Sequence, residues 1–192
     1  ITSDPGNTLL NRGIQAQLAP GSTFKPIVAL AAMESGAIDE NTAFNCPGGG
    51  EFFGHYHRCW AVHGGGISLH RGMAQSCDTY FYTMGYELGI DKIDAFLDHF
   101  KFGHATGIDL LGEADGILPS RTWKRATKKQ PWYDGDTVNV SIGQGYMLAT
   151  PLQLATAAAI LSRDGQTVGP RLADIRGQEQ PAIGGEALLD NP

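Results

Sequence analysis

The chain has 192 residues, 42 % hydrophobic and 18 % charged, with a formal net charge of −6. That composition excludes a disordered chain, and the length suits one domain with a sizeable core. The acidic balance argues against a nucleic-acid partner, and no apolar run approaches the ~18 residues of a membrane span. The opening residues have neither a basic nor an apolar leader segment and read as mid-domain chain, with a turn at Asp4-Pro5-Gly6-Asn7.

Residues 21–36 read as one helix: an entry of small residues, an apolar run from Ile27 to Met33, and a stop at Gly36. Pro26 falls in the first turn, where its missing N–H costs nothing. Residues 45–66 are rich in glycine, histidine and aromatics and show no period, so a long loop is expected, held by a function or a staple. A helical period returns at Ser68, with Leu69, Met73, Cys77, Phe81, Met84 and Leu88 on one face. A shorter helix fits residues 91–100, with Asp91 as its cap and Ile93, Phe96, Leu97 and Phe100 inward. The basic run from Arg121 to Lys129 reads as a solvated face. Thr150-Pro151-Leu152-Gln153 is a capping box with proline at the first helical position, and its helix should reach about Ser162. Beyond Gly165 a short strand near residues 171–175 is expected. Helix outweighs strand.

Ser22-Thr23-Phe24-Lys25 is an S-x-x-K arrangement at a helix start. Positions three apart share a helix face, so the amine of Lys25 can approach the hydroxyl of Ser22. Serine is a weak nucleophile and needs a base; a lysine serves when neutral, which desolvation and the positive end of a helix favour. Alone the motif is weak, because one S-x-x-K arises by chance in roughly 200 residues. A capping serine beside a solvated lysine is the plain alternative.

The context adds weight. S-x-x-K followed by a short serine motif and K-T-G marks penicillin-binding proteins and serine β-lactamases, and Ser76-Cys77-Asp78 stands downstream as an S-x-D. Residues 19–26, Ala-Pro-Gly-Ser-Thr-Phe-Lys-Pro, resemble the active-site entry of class B penicillin-binding proteins. Residues 76–82, 131–137, 141–146 and 150–155 are similar to their elongation-type branch, the penicillin-binding protein 2 group. The resemblance covers almost the whole chain, in order.

It implies the mostly α part of an α+β penicillin-binding transpeptidase or serine β-lactamase-like fold, with the closing strands of the sheet largely absent. It also implies a peptidoglycan D,D-transpeptidase that cross-links stem peptides and is acylated by β-lactam antibiotics. Ser22 would be the nucleophile, Lys25 its base, Ser76 the proton relay to the leaving group, and Asp78 the residue orienting Lys25. The parent would be periplasmic, anchored in the inner membrane and partnered by membrane proteins of the elongation machinery. A β-lactamase or penicillin sensor, or a non-catalytic scaffold, are the competing functions.

Two departures stand out. Asp78 occupies a position where many members carry asparagine, and a carboxylate beside Lys25 favours the ammonium, so acylation should need a higher pH. No K-T-G or K-S-G occurs: the lysines precede Pro26, Ile93, Phe102, Arg125, Lys129 and Gln130. The natural protein is therefore expected to continue past Pro192, and this chain alone to acylate poorly.

Cys46, Cys59, His63 and Cys77 follow C-x12-C-x3-H-x13-C, the full complement of three cysteines. Three thiolates and one imidazole would make a closed structural zinc site, stapling the glycine-rich loop beside Ser76. His55, His57 or His70 could replace His63. A Cys46–Cys59 disulfide with Cys77 buried, or three free thiols, are the other readings. Trp60, Trp123 and Trp132 suit a groove or, more commonly, a core. The Gly143-Gln144-Gly145 turn reads as a close approach to the core.

Overall fold

The computed structural model describes residue 6, residues 9–167 and residues 169–173. These divide into two compact units, each assembled from separated segments. One comprises Ala19–Leu97 with Leu118–Met147; the other comprises the residues up to Leu18, Asp98–Ile117 and the residues from Leu148 onward.

The first unit is organised around α4, Asp78–Leu88, in which Thr79, Tyr80, Phe81, Tyr82, Met84, Gly85 and Leu88 are all buried. Such a helix must be covered on several sides. It is met by α2 (Lys25–Glu34), by α3 (Leu69–Ala74), by α7 (Asp134–Val140) and by strands β1 (Ala43–Cys46), β2 (Gly49–Phe52) and β3 (His55–Arg58). Gly85 allows the approach of α7, since a methyl group there would lie 2.5 Å from Cβ of Ser141. The α2 side contributes Ile27, Val28, Ala31 and Ala32. Each large aliphatic side chain so buried is worth about 1.5–3 kcal/mol.

Residues 45–66 are not a loop. They form most of two antiparallel pairs, β1 with β4 (Gly64–Ser68) and β2 with β3. The β2–β3 turn is Phe53-Gly54, with φ of 50° and 77°, the positive values of a two-residue hairpin. Phenylalanine is no turn signal and the strands hold few β-branched residues, so the pattern hid them. Aromatic contacts hold both pairs to α4: Phe44 lies 4.9 Å from Tyr80, and Phe52 lies 5.8 Å from Tyr82.

The helix expected from Ser68 onward is two helices. Ser68 caps α3, and the chain breaks at residues 75–77, where Ser76 has φ 50°. Both helices face one core, so the apolar period runs straight through the break. The helix expected from residue 21 likewise begins as a 3₁₀ turn, Gly21–Phe24, before α2. Helix α5 covers Ile90–His99, placing Asp91 in the first turn instead of at the cap.

The basic run is also a helix, α6 (Arg121–Lys128), capped by Ser120, whose hydroxyl accepts from Trp123 N–H at 3.1 Å. It is not simply a solvated face: Lys124 is 1 % exposed, bonded to the Asp136 carboxylate and 4.2 Å from the Tyr133 ring centroid. Trp132 is buried and donates to Thr137 Oγ1 at 2.9 Å.

In the second unit α1 (Arg12–Gln15) packs against α8 (Pro151–Leu161). Thr150 Oγ1 accepts from Gln153 N–H at 3.1 Å, and Gln153 Oε1 accepts from Thr150 N–H at 2.8 Å, the reciprocal box expected of that sequence. The buried Gln153 amide also donates to the carbonyls of His104 and Asp115 at 2.8 and 2.7 Å, so one residue caps the helix and ties in a loop. Residues 171–173 are not in a strand, and the rest of the strand expected there lies outside the described residues.

Breaking a buried pair strands a charge, whereas an exposed pair is worth little. Asp136→Ala should therefore lower unfolding free energy by about 3 kcal/mol. Asp91→Ala, which removes the exposed Arg121–Asp91 pair, should change it by less than about 1 kcal/mol. Chemical denaturation measures both, and equal losses would contradict this ranking.

Candidate active site and cysteine cluster

Ser22 sits on the 3₁₀ turn, one residue after Gly21 at φ 57°. Gly21 N–H donates to the carbonyl of Gly143 at 2.9 Å. Gly143, at φ 69°, backs onto this turn so closely that a side chain there would overlap Gly21 and Phe24. The close approach expected of the Gly143-Gln144-Gly145 turn thus has a definite object, the backbone that carries Ser22.

Lys25 opens α2 and is 2 % exposed. Its amine donates to Asp78 Oδ1 at 2.7 Å, to Ser76 Oγ at 2.9 Å and to the Ser76 carbonyl at 3.0 Å. Those three acceptors use the three donors of an ammonium. The Phe81 ring centroid lies 5.2 Å from the same nitrogen. Ser76 Oγ then donates to Ser22 Oγ at 2.9 Å.

The structure thus brings Ser22, Lys25, Ser76 and Asp78 into one row. The approach of Lys25 to Ser22 runs through Ser76, because Asp78 and the Ser76 carbonyl hold the amine on the α4 side. Ser76 reaches both neighbours from its left-handed backbone, uncommon for a residue with a side chain and held where the surroundings fix it.

Lysine's donor count makes the row chemically versatile. A neutral amine has two N–H donors and a lone pair. With the donors on Asp78 and the Ser76 carbonyl, the lone pair faces Ser76 Oγ. Those heavy-atom positions would then suit a proton relay from Ser22 through Ser76 to Lys25.

Beside the row lie Cys46 at the end of β1, Cys59 just after β3, His63 just before β4, and Cys77 ahead of α4. Their ligand atoms all lie within 4.8 Å of one another, and among the described residues this is the group that could hold a metal ion. His63 takes the histidine place through Nδ1, 3.3 Å from Cys46 Sγ and 3.5 Å from Cys59 Sγ. His55, His57 and His70 lie outside the group. Tetrahedral Zn–S bonds of about 2.3 Å put sulfurs about 3.8 Å apart, so this set fits such an ion with small adjustments. The three cysteines are free thiols. Burial pushes the Cys77 thiol up to about 12. Burial also raises Cys46, but hydrogen bonds from Thr79 and His63 outweigh it and bring that thiol down to about 6.

Trp60 was missed as a contact of this site. It is 68 % exposed, and its indole N–H is shared between the carbonyls of Gln75 at 3.2 Å and Ser76 at 3.1 Å. Its ring stands edge-on to His63, 5.1 Å between centroids. The adjacency to Cys59 was visible in the sequence, but nothing there gave the direction of the indole.

The family model of the penicillin-binding protein transpeptidase domain matches residues 2–186. The chain is 42 % identical over 175 residues to the peptidoglycan D,D-transpeptidase MrdA of Escherichia coli, covering 90 % of this chain and 28 % of that protein. The crystal structure of Pseudomonas aeruginosa PBP2 in complex with WCK 5153 is 42 % identical, with a TM-score of 0.89 over 95 % of this chain and 40 % of that one. The PBP2 of Helicobacter pylori, solved as a complex with MreC, is 38 % identical with a TM-score of 0.86, over 94 % of this chain and 33 % of that one. The chain thus spans well under half the length of these relatives and shares their transpeptidase fold. It belongs to the penicillin-binding protein transpeptidase domain family.

Proposed function

We propose that this chain carries the nucleophile and proton-transfer machinery of a peptidoglycan D,D-transpeptidase that β-lactams also acylate. The observation that carries this reading is the row from Ser22 through Ser76 to Lys25 and Asp78, each step within hydrogen-bond distance.

Ser22 Oγ attacks the carbonyl carbon of a stem peptide's penultimate D-alanine. Its proton passes to Ser76 while the Ser76 proton passes to the Lys25 lone pair. Collapse of the tetrahedral adduct breaks the C–N bond, and the proton returns through Ser76 to the departing D-alanine amine. The acyl group stays on Ser22 until the amine of a second strand attacks and yields its proton along the same row, and that proton returns through Ser76 to the Ser22 oxygen as the ester C–O bond breaks. A penicillin ring opened by the same attack keeps its amine tethered, which leaves a stable ester. Asp78 holds Lys25 in line through its carboxylate.

The parent protein is proposed to act in the periplasm from an inner-membrane anchor. Membrane proteins of the elongation machinery are the proposed partners, and the H. pylori relative was solved in complex with MreC.

The cysteine cluster is proposed to hold a structural zinc through Cys46, Cys59, His63 and Cys77. The ion would supply a cross-link between the small strands and α4 and take no part in acyl transfer. Cys77 adjoins both Ser76 and Asp78, so the staple would fix the segment that carries them.

In the intact protein, a fluorescent penicillin should form a lasting adduct that peptide mass spectrometry places on Ser22, and Ser22→Ala should abolish it. Ser76→Ala should slow acylation by about 10²- to 10⁴-fold. Hydrolytic turnover would favour a β-lactamase instead, and no adduct at all would favour a scaffold.

Metal analysis should find one zinc per chain, lost in Cys77→Ser together with thermal stability. A metal-free protein with one reactive thiol would indicate a Cys46–Cys59 disulfide.

A further inference from the structure

Trp60 stands between two cluster residues, immediately after Cys59 and three before His63. Backbone bonds fix that short segment at both ends: Cys59 N–H donates to the Gly48 carbonyl at 2.9 Å and His63 N–H to the Cys46 carbonyl at 3.1 Å. Little of the Trp60 ring is covered, so burial does not explain its placement. What holds the ring is its N–H on the Gln75 and Ser76 carbonyls and its edge contact with His63.

The Ser76 carbonyl is an important place for a donor to land. On its amino side Ser76 is tied by its N–H to the Met73 carbonyl at 3.1 Å, and the next N–H, of Cys77, reaches the Gly72 carbonyl at 2.9 Å. The carbonyl itself is held by Lys25 and Trp60. An ammonium is a strong donor and a neutral amine a weaker one. Lys25 therefore loosens its grip on this carbonyl in the protonation state that accepts the proton of Ser76. The indole N–H does not titrate and keeps its hold throughout.

We propose that Trp60 is a positioning residue for proton transfer: its indole N–H keeps the Ser76 carbonyl, and with it the left-handed Ser76 backbone, in place while Lys25 is neutral. The inference rests on the acyl-transfer reading above. Its object is the geometry of Ser76, so the effect belongs in the chemical step and not in ligand affinity.

In the intact protein, Trp60 is replaced by phenylalanine and, separately, by β-(3-benzothienyl)alanine, which keeps the bicyclic shape and puts sulfur where the N–H was. Single-turnover acylation across penicillin concentrations separates the dissociation constant from the limiting rate constant. Loss of one side chain to backbone hydrogen bond should lower the rate constant by about 5- to 20-fold in both variants. The dissociation constant, zinc content and melting temperature should stay near wild type in the benzothienylalanine protein, and 5-fluorotryptophan, which retains the donor, should restore the rate. An unchanged rate constant without the N–H would overturn the proposal, as would a weakened dissociation constant at constant rate, which would make Trp60 a ligand contact. Wild-type protein that forms no adduct on Ser22 would instead remove the acyl-transfer reading and this inference together.

Discussion

A lysine amine withdrawn almost wholly from water needs acceptors around it or must give up its charge. Lys25 meets three, and all belong to residues 76 and 78. That requirement locks the start of α2 to the start of α4. Since Ser22 lies on the turn that leads into α2, the same contact brings its hydroxyl to Ser76. Removing any acceptor would leave a buried donor unmet, so the row is also part of what holds the two helices together. Stability and chemistry here share the same atoms, as expected of a site whose geometry must be fixed before the substrate arrives.

Backbone conformation does as much as side chains. Gly143 lets a turn press against Gly21, and Gly85 lets α7 press against α4. Ser76 alone in the row takes a left-handed conformation, which turns its side chain toward Ser22 and Lys25 and its carbonyl toward Trp60. The small strands and the cysteine cluster stand directly behind that residue. A segment read as a loop thus becomes the support of the site: the two strand pairs are joined to α4 by aromatic contacts, and the cluster gathers the ends of three strands at Cys77.

Much of the site could be read in the sequence because its chemistry is written in short spacings. The serine–lysine pair, the S-x-D and the cysteine–histidine set each name their residues, and the structure brings each set together. The capping box at Thr150 was legible for a similar reason, since a cap is local and its donors lie within four residues. What escaped depends on distant partners. Residues 43–68 hold four short strands because Tyr80 and Tyr82 offer faces for Phe44 and Phe52, which no period within the segment reveals. Lys124 is interior because Asp136 and three aromatic rings surround it, though it lies in a basic run. The break at Ser76 was masked by a core that both flanking helices share.

The central claim is that Ser22 is the acylated atom and that Ser76 bridges it to Lys25. A crystal structure of the intact protein after reaction with a penicillin addresses it directly. Density should run unbroken from Ser22 Oγ to the carbonyl carbon of the opened ring, with Ser76 Oγ about 3 Å from both Ser22 Oγ and Lys25 Nζ. An unmodified Ser22, or an acyl-enzyme in which Ser76 has turned away from Lys25, would contradict the account.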